Sequence, residues 1–186
     1  KTHIIASTRK QDEIPEDIEE GDDIEFCEYG YEDKVSRKID YIIHAASPTD
    51  NRYRLANPVE TFQMNVHSTE RLLELCRKNM NCSMIYLSSE EVYGWTQDDS
   101  PAMTEEMAGA VDSLDLRNCY ALGKKAAEFL CYGSAMEYGT DVKIIRLTVI
   151  QGLFQRYEET RVVNELLRCI VEKKDFVMKS DGLTKK

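Results

Sequence analysis

Two stretches limit what this chain can become. Residues 39–46 (IDYIIHAA) and 82–89 (CSMIYLSS) are nearly continuous apolar runs of strand length rather than alternating ones. Such runs suit strands buried on both faces, as in a parallel sheet with helices on either side. Parallel neighbours need a long crossover, and a helix-length segment separates the two runs. It opens at Asn57-Pro58-Val59-Glu60, with asparagine at the N-cap, proline at the first helical position and glutamate three residues after the cap. Val59, Phe62, Val66, Leu73 and Cys76 then recur at helical spacing to Lys78.

The alternation extends outward. Residues 2–7 and 24–27 read as strands, and 116–138 as a second long helix stopped by Gly139. Residues 142–149 read as a strand, 160–173 as a helix and 176–179 as a short strand. Strands and helices alternating in this way predict an α/β fold built on a doubly wound parallel sheet. A length of 186 residues suits one domain, or one domain and part of another.

Charge and composition exclude several functions. A net charge of −10 argues against a duplex nucleic-acid binder, and much of the acidity falls between Asp12 and Glu28, as in a solvated loop. No apolar run approaches the roughly 18–20 residues that span a bilayer, and the N-terminus lacks the layout of a signal peptide. Cys27, Cys76, Cys82, Cys119, Cys131 and Cys169 form no CxxC pair and no cluster with histidine. That pattern predicts no metal site and free thiols in a reducing cytoplasm.

Two signals carry chemistry. In NCYALGKKAAE, Tyr120 and Lys124 are four residues apart, so a helix puts them on one face. An ammonium near a phenol favours the phenolate, which can take a proton from a substrate hydroxyl while hydride leaves the same carbon. About thirty residues earlier, the strand CSMIYLSS runs into Glu90-Glu91-Val92-Tyr93-Gly94. In open α/β sheets ligands bind beyond the carboxyl ends of the strands, which is where Ser88, Ser89, Glu90 and Glu91 fall.

HAAS at 44–47, Asn65 in NVHSTERLLELC, SSEEVYG at 88–94, CYALGKKAAE at 119–128 and IIRLTVIQG at 144–152 stand in a characteristic order and spacing. Together they resemble the extended short-chain dehydrogenase/reductase family, in its nucleotide-sugar epimerase and dehydratase branch. The resemblance implies a Rossmann-type fold and a redox-neutral reaction on a nucleotide sugar through a transient 4-keto sugar. It implies Tyr120 as catalytic acid/base, Lys124 as its pKa-lowering partner and ribose ligand, and Ser89 as the hydroxyl bonded to the reacting sugar oxygen. His44, Ala45 and Ala46 resemble the turn beside the cofactor, Asn65 the helix asparagine that organises the site, and Ser88 a further cofactor contact. In the dehydratase pattern Glu91 falls on the base that removes the C5 proton and Glu90 on the acid that protonates the leaving hydroxyl. Glu90 stands where dehydratases have Asp, and Ser89 where they have Thr. RNCYALGKKAAE and residues 160–186 look more like the decarboxylase group, so dehydration, decarboxylation and epimerisation all stay open.

The resemblance implies NAD, with NADP as the alternative. The second strand ends Ser7-Thr8-Arg9, without the acidic residue that binds a ribose in NAD enzymes, and Arg9 is placed to approach a 2′-phosphate. It also implies a homodimer through the helices that carry Asn65 and Tyr120. The family's glycine-rich phosphate turn is absent, and residues 2–7 resemble its second strand. Residues 1–150 then read as a dinucleotide-binding domain lacking its first strand and glycine-rich loop, and 151–186 as the start of a substrate-binding region. A glycine-rich turn is expected within about 30 residues upstream of Lys1, and dinucleotide binding is expected to be poor without it. Two other readings are an NADPH-dependent carbonyl reductase and a non-catalytic dinucleotide-sensing module.

Overall fold

The computed structural model describes residues 2–8, 21, 23–30, 34–94, 103–150, 152, 157 and 161–178. Its strands are β1 (Ile4–Thr8), β2 (Ile24–Glu28), β3 (Tyr41–His44), β4 (Ser83–Ser89) and β5 (Asp141–Leu147). Its α-helices are α1 (Asn51–Ala56), α2 (Pro58–Lys78), α3 (Cys119–Tyr138) and α4 (Val162–Glu172). Every pairing between these strands is parallel. β1 pairs with β2, and β4 lies between β3 and β5 in a separate three-stranded sheet. Tyr41 lies opposite Ser83, and Ser83 opposite Asp141.

The expected alternation is therefore present, but as two sheets that no described strand joins. The core lies where α2 and α3 cover one face of the larger sheet: Leu73, Leu75 and Cys76 meet Ile42, Met84, Tyr86, Ala127 and Cys131. The other face is open among the described residues, with Tyr41 79% and Ile43 68% exposed. Among the described residues, the strand in the apolar run at 39–46 is thus covered on one face.

Local chemistry explains most element ends and the departures from the predicted ones. Pro58 begins α2, but Asn57 makes no side-chain cap. Its amide instead donates to the Tyr53 carbonyl at 3.1 Å, closing α1, a helix the periodicity did not suggest. Asp50 caps α1, accepting from the Tyr53 N–H at 2.8 Å. Leu116–Asn118 is a 3-10 turn, so the long helix proper starts at Cys119. Gly139 ends it in the left-handed region at φ 70°. Residues 176–178 are not a strand, and Lys179 lies outside the described residues.

α2 and α3 approach closely at Gly123. A β-carbon there would sit 3.2 Å from the Asn65 side chain and 3.3 Å from the Phe62 backbone. The glycine thus sets how near Tyr120 lies to the residues of α2.

Candidate active site

The end of β4, the N-terminal turns of α3 and the segment after β3 converge. Ser89 is the last residue of β4, and its hydroxyl accepts from the Glu91 N–H at 3.2 Å, capping the 3-10 turn Glu90–Tyr93. Tyr120 and Lys124 are both buried on the first turns of α3. The Lys124 ammonium donates to the Leu87 carbonyl of β4 at 2.7 Å and lies 5.7 Å from the centre of the Tyr120 ring. Ser89 and Ser47 both lie close enough to the phenol to draw its pKa down. Ser47 in turn donates to Asn65 Oδ1 at 2.6 Å, and the Asn65 amide donates to the Thr61 carbonyl at 2.9 Å. Asn65 thus ties the segment after β3 to α2.

The electrostatics differ from the expected ones. Burial raises the Tyr120 phenol above its ordinary value, and the Glu91 carboxylate raises it further. Ser89, Arg54 and Ser47 pull it back down. Lys124 was expected to do so, but its ammonium is turned to the Leu87 carbonyl. Burial also lowers the lysine, to about 8, against the smaller opposing influence of Cys131 and Glu128.

Ser88 does not face the same way as Ser89. Alternation along β4 turns it inward, where it donates to Glu128 Oε1 at 2.6 Å. Glu128 also holds Arg146 of β5 through bonds of 3.0 and 2.8 Å. The Ser88 side chain thus ties β4 to α3. His44 is likewise directed at a helix: its Nε2 meets Thr69 Oγ1 at 3.0 Å and Ser68 Oγ at 3.2 Å. Both hydroxyls give their protons to main-chain carbonyls, so Nε2 is the donor. The imidazole fixes β3 on α2 and leaves Ala45 and Ala46 exposed at the strand end. Glu90 is half-buried in the 3-10 turn, and Arg9 lies outside the described residues.

Arg54 of α1 was not legible in the sequence. Its guanidinium lies over the Tyr120 ring, 4.3 Å from the centre, and Nη1 donates to both Glu91 oxygens at 3.3 and 3.4 Å. Nη2 is bonded to Asn51 Oδ1. The arginine side chain is only 13% exposed. No spacing rule links residue 54 to residue 120; only the fold of the segment after β3 brings them together.

A parallel α/β sheet with a tyrosine and lysine four apart on a helix, beside a hydroxyl at a strand end, is the arrangement of the short-chain dehydrogenase class of folds. The profile of the NAD dependent epimerase/dehydratase family matches residues 3–186, and the chain belongs to that family. UDP-glucuronic acid decarboxylase 6 of Arabidopsis thaliana is 30% identical over 133 residues, covering 70% of this chain and 37% of that protein. UDP-glucuronic acid decarboxylase 1 of Xenopus tropicalis is 28% identical over 145 residues, covering 78% of this chain and 34% of that protein. The chain thus spans about a third of the length of the curated relatives it matches. Among solved structures, UDP-N-acetylglucosamine 4-epimerase from Methanobrevibacter ruminantium superposes with a TM-score of 0.73 at 22% identity, over 87% of this chain and 52% of that one. RMD from Pseudomonas aeruginosa, solved with NADPH, superposes at 0.56 with 29% identity, over 64% of this chain and 39% of that one. These are likenesses of sequence and fold. Among the described residues, no helix is long and apolar enough to cross a membrane.

Proposed function

We propose that this chain is the catalytic portion of an NAD-dependent enzyme that oxidises C4 of a nucleotide sugar, transforms the 4-keto sugar and reduces it again. The observation that carries the reading is the meeting of Ser89, Ser47 and Tyr120 at the carboxyl end of β4, with Lys124 behind the phenol. In this reading a dinucleotide lies beyond the carboxyl ends of β3 and β4, against the exposed Ala45 and Ala46. When bound, the cofactor supplies the site that accepts and returns hydride. Tyr120 takes the C4 hydroxyl proton as the ketone forms and gives it back on reduction, while Ser89 holds the same oxygen. Lys124, Ala45, Ala46 and Asn65 are the residues assigned to the cofactor side.

The fate of the keto sugar depends on Glu91. Its carboxylate lies against Arg54, which competes for the group that would remove a C5 proton in an elimination. That pairing, with the decarboxylase relatives, favours UDP-glucuronate as the first substrate to try. Residues to 150 form the dinucleotide-binding portion in this reading, and 151–186 begin the substrate-binding region. The six free cysteines agree with a cytoplasmic location. A homodimer is supported by Phe129, Tyr132 and Met136, an exposed stripe at helical spacing along α3, and by the exposed Val59 and Phe62 on α2.

The test is stopped-flow absorbance at 340 nm with the full-length protein, NAD, UDP-glucuronate and a panel of UDP- and dTDP-hexoses. Glu91→Gln accumulates NADH if Glu91 is the elimination base, and turns over almost normally if the ketone loses carbon dioxide instead. No turnover of any panel member by the unsubstituted protein would remove the nucleotide-sugar reading.

A further inference from the structure

We propose that Arg54 is a positioning residue for Tyr120: its guanidinium, lying on the phenol ring and tethered to Glu91, holds the phenol in place and stabilises the phenolate. This deepens the reading of Tyr120 as acid/base and rests on it. A guanidinium stays charged at every working pH, lies 4.3 Å from the ring centre and is largely withdrawn from water. The Lys124 ammonium is more distant, at 5.7 Å, and is committed to the Leu87 carbonyl. Of the two cations, Arg54 is the closer and the better placed to interact with charge delocalised into the ring.

The charged and titratable groups around the phenol come from each packed element. Arg54 belongs to α1, Glu91 to the 3-10 turn, Tyr86 to β4, and Cys119 and Lys124 to α3. Glu91 and Arg54 act on Tyr120 with opposite sign. Their mutual contact, at 3.3 Å, is longer than a typical charge-assisted bond of about 2.7–2.9 Å. A pair held loosely can divide differently: whatever draws Glu91 away leaves Arg54 acting on the phenol alone. The Asp50 cap at the start of α1 and the Cys119 thiol, which donates to the Arg54 carbonyl at 3.6 Å, keep this arginine beside α3.

The experiment places 3,5-difluorotyrosine at position 120 of the full chain, because its phenol is intrinsically more acidic, and follows its 19F NMR signal against pH. An opposite charge within about 4–6 Å shifts a titration by about 1–3 units, so Arg54→Met raises the midpoint by about one unit or more. Arg54→Lys recovers part of that shift, and Glu91→Gln moves the midpoint the other way. Loss of geometry alone would not give opposite signs for the two partners. Midpoints in Arg54→Met and Arg54→Lys within about 0.3 units of the unsubstituted protein would overturn the proposal, as would a rise in Glu91→Gln. Arg54→Gln, which keeps a polar side chain without the charge, raises the midpoint as Arg54→Met does, so it decides the matter even if Arg54→Met fails to fold. The titration does not depend on turnover. A shift without any effect of Tyr120→Phe on turnover would therefore refute the acid/base reading and leave the electrostatic one standing.

Discussion

Tyr120 is buried, raised by Glu91 and lowered by two serines and an arginine, so its chemistry depends on several weak influences. Tyr120→Phe removes the proton acceptor and leaves the apolar ring, and we expect turnover of the full-length protein to fall by at least about a hundredfold with little change in substrate affinity. Near-normal kcat would transfer the proton to another group. Lys124 gives a second test, read in stability. Its pKa in the fold, about 8, lies below the ordinary 10.5, so between these values the unfolded chain holds the proton that the folded chain has lost. Below about pH 8 the buried ammonium costs stability in full, and the cost fades as pH rises toward 10.5. Each unit is worth about 1.4 kcal/mol, so Lys124→Met and the unsubstituted chain should converge by about 3 kcal/mol over that window in urea melts at matched pH. A difference that stays constant with pH would mean the lysine is not held with a depressed pKa.

α3 brings the reacting groups together because residues 120, 124 and 128 repeat every four positions and share a face. Tyr120 meets Arg54, Lys124 meets the β4 backbone, and Glu128 anchors Ser88 and Arg146. This face was legible at its first two members, since the four-residue spacing is visible in the sequence. Glu128 was not, because its partners lie on two strands that only the parallel register brings beside it. Ser88 and Ser89 show the same limit: both are strand-end serines in the sequence, and the pleat sends one to the core and the other to the site. α1 escaped notice because six residues with no buried member leave no periodic trace. Glu128→Gln should destabilise the fold by about 3 kcal/mol, since it leaves the Arg146 guanidinium short of its partner, measured by chemical denaturation. Gly123→Val should cost about 1–3 kcal/mol in the same assay, because the added carbons meet Asn65 and the α2 backbone. An unchanged midpoint for it would show that the two helices can separate freely.

Among the described residues, the larger sheet has one face covered by α2 and α3 and one face open, and α3 carries an apolar stripe. If the stripe is a self-association surface, Tyr132→Glu with Met136→Glu should lower the mass found by sedimentation equilibrium from that of a dimer to that of one chain; an unchanged mass removes the stripe from the interface. The alternation of strands and helices, and with it the fold class, was legible from two apolar runs and a helix start. The division into two sheets was not, since a strand's composition carries no record of its neighbour. The all-parallel pairing has a further consequence, for the time the chain needs to take shape. Tyr41 must find Ser83, and Ser83 must find Asp141, with no hairpin to shorten the search. Closing such distant pairs is entropically slow, so chains of this topology fold late relative to their local helices. On a ribosome, α2 and α3 can form as they emerge, but Ser89 meets Tyr120 only after β4 has docked beside β3 and α3 has folded back on it. Until then Met84, Tyr86 and Cys131 stay wet, and the growing chain exposes the very surface that molecular chaperones recognise.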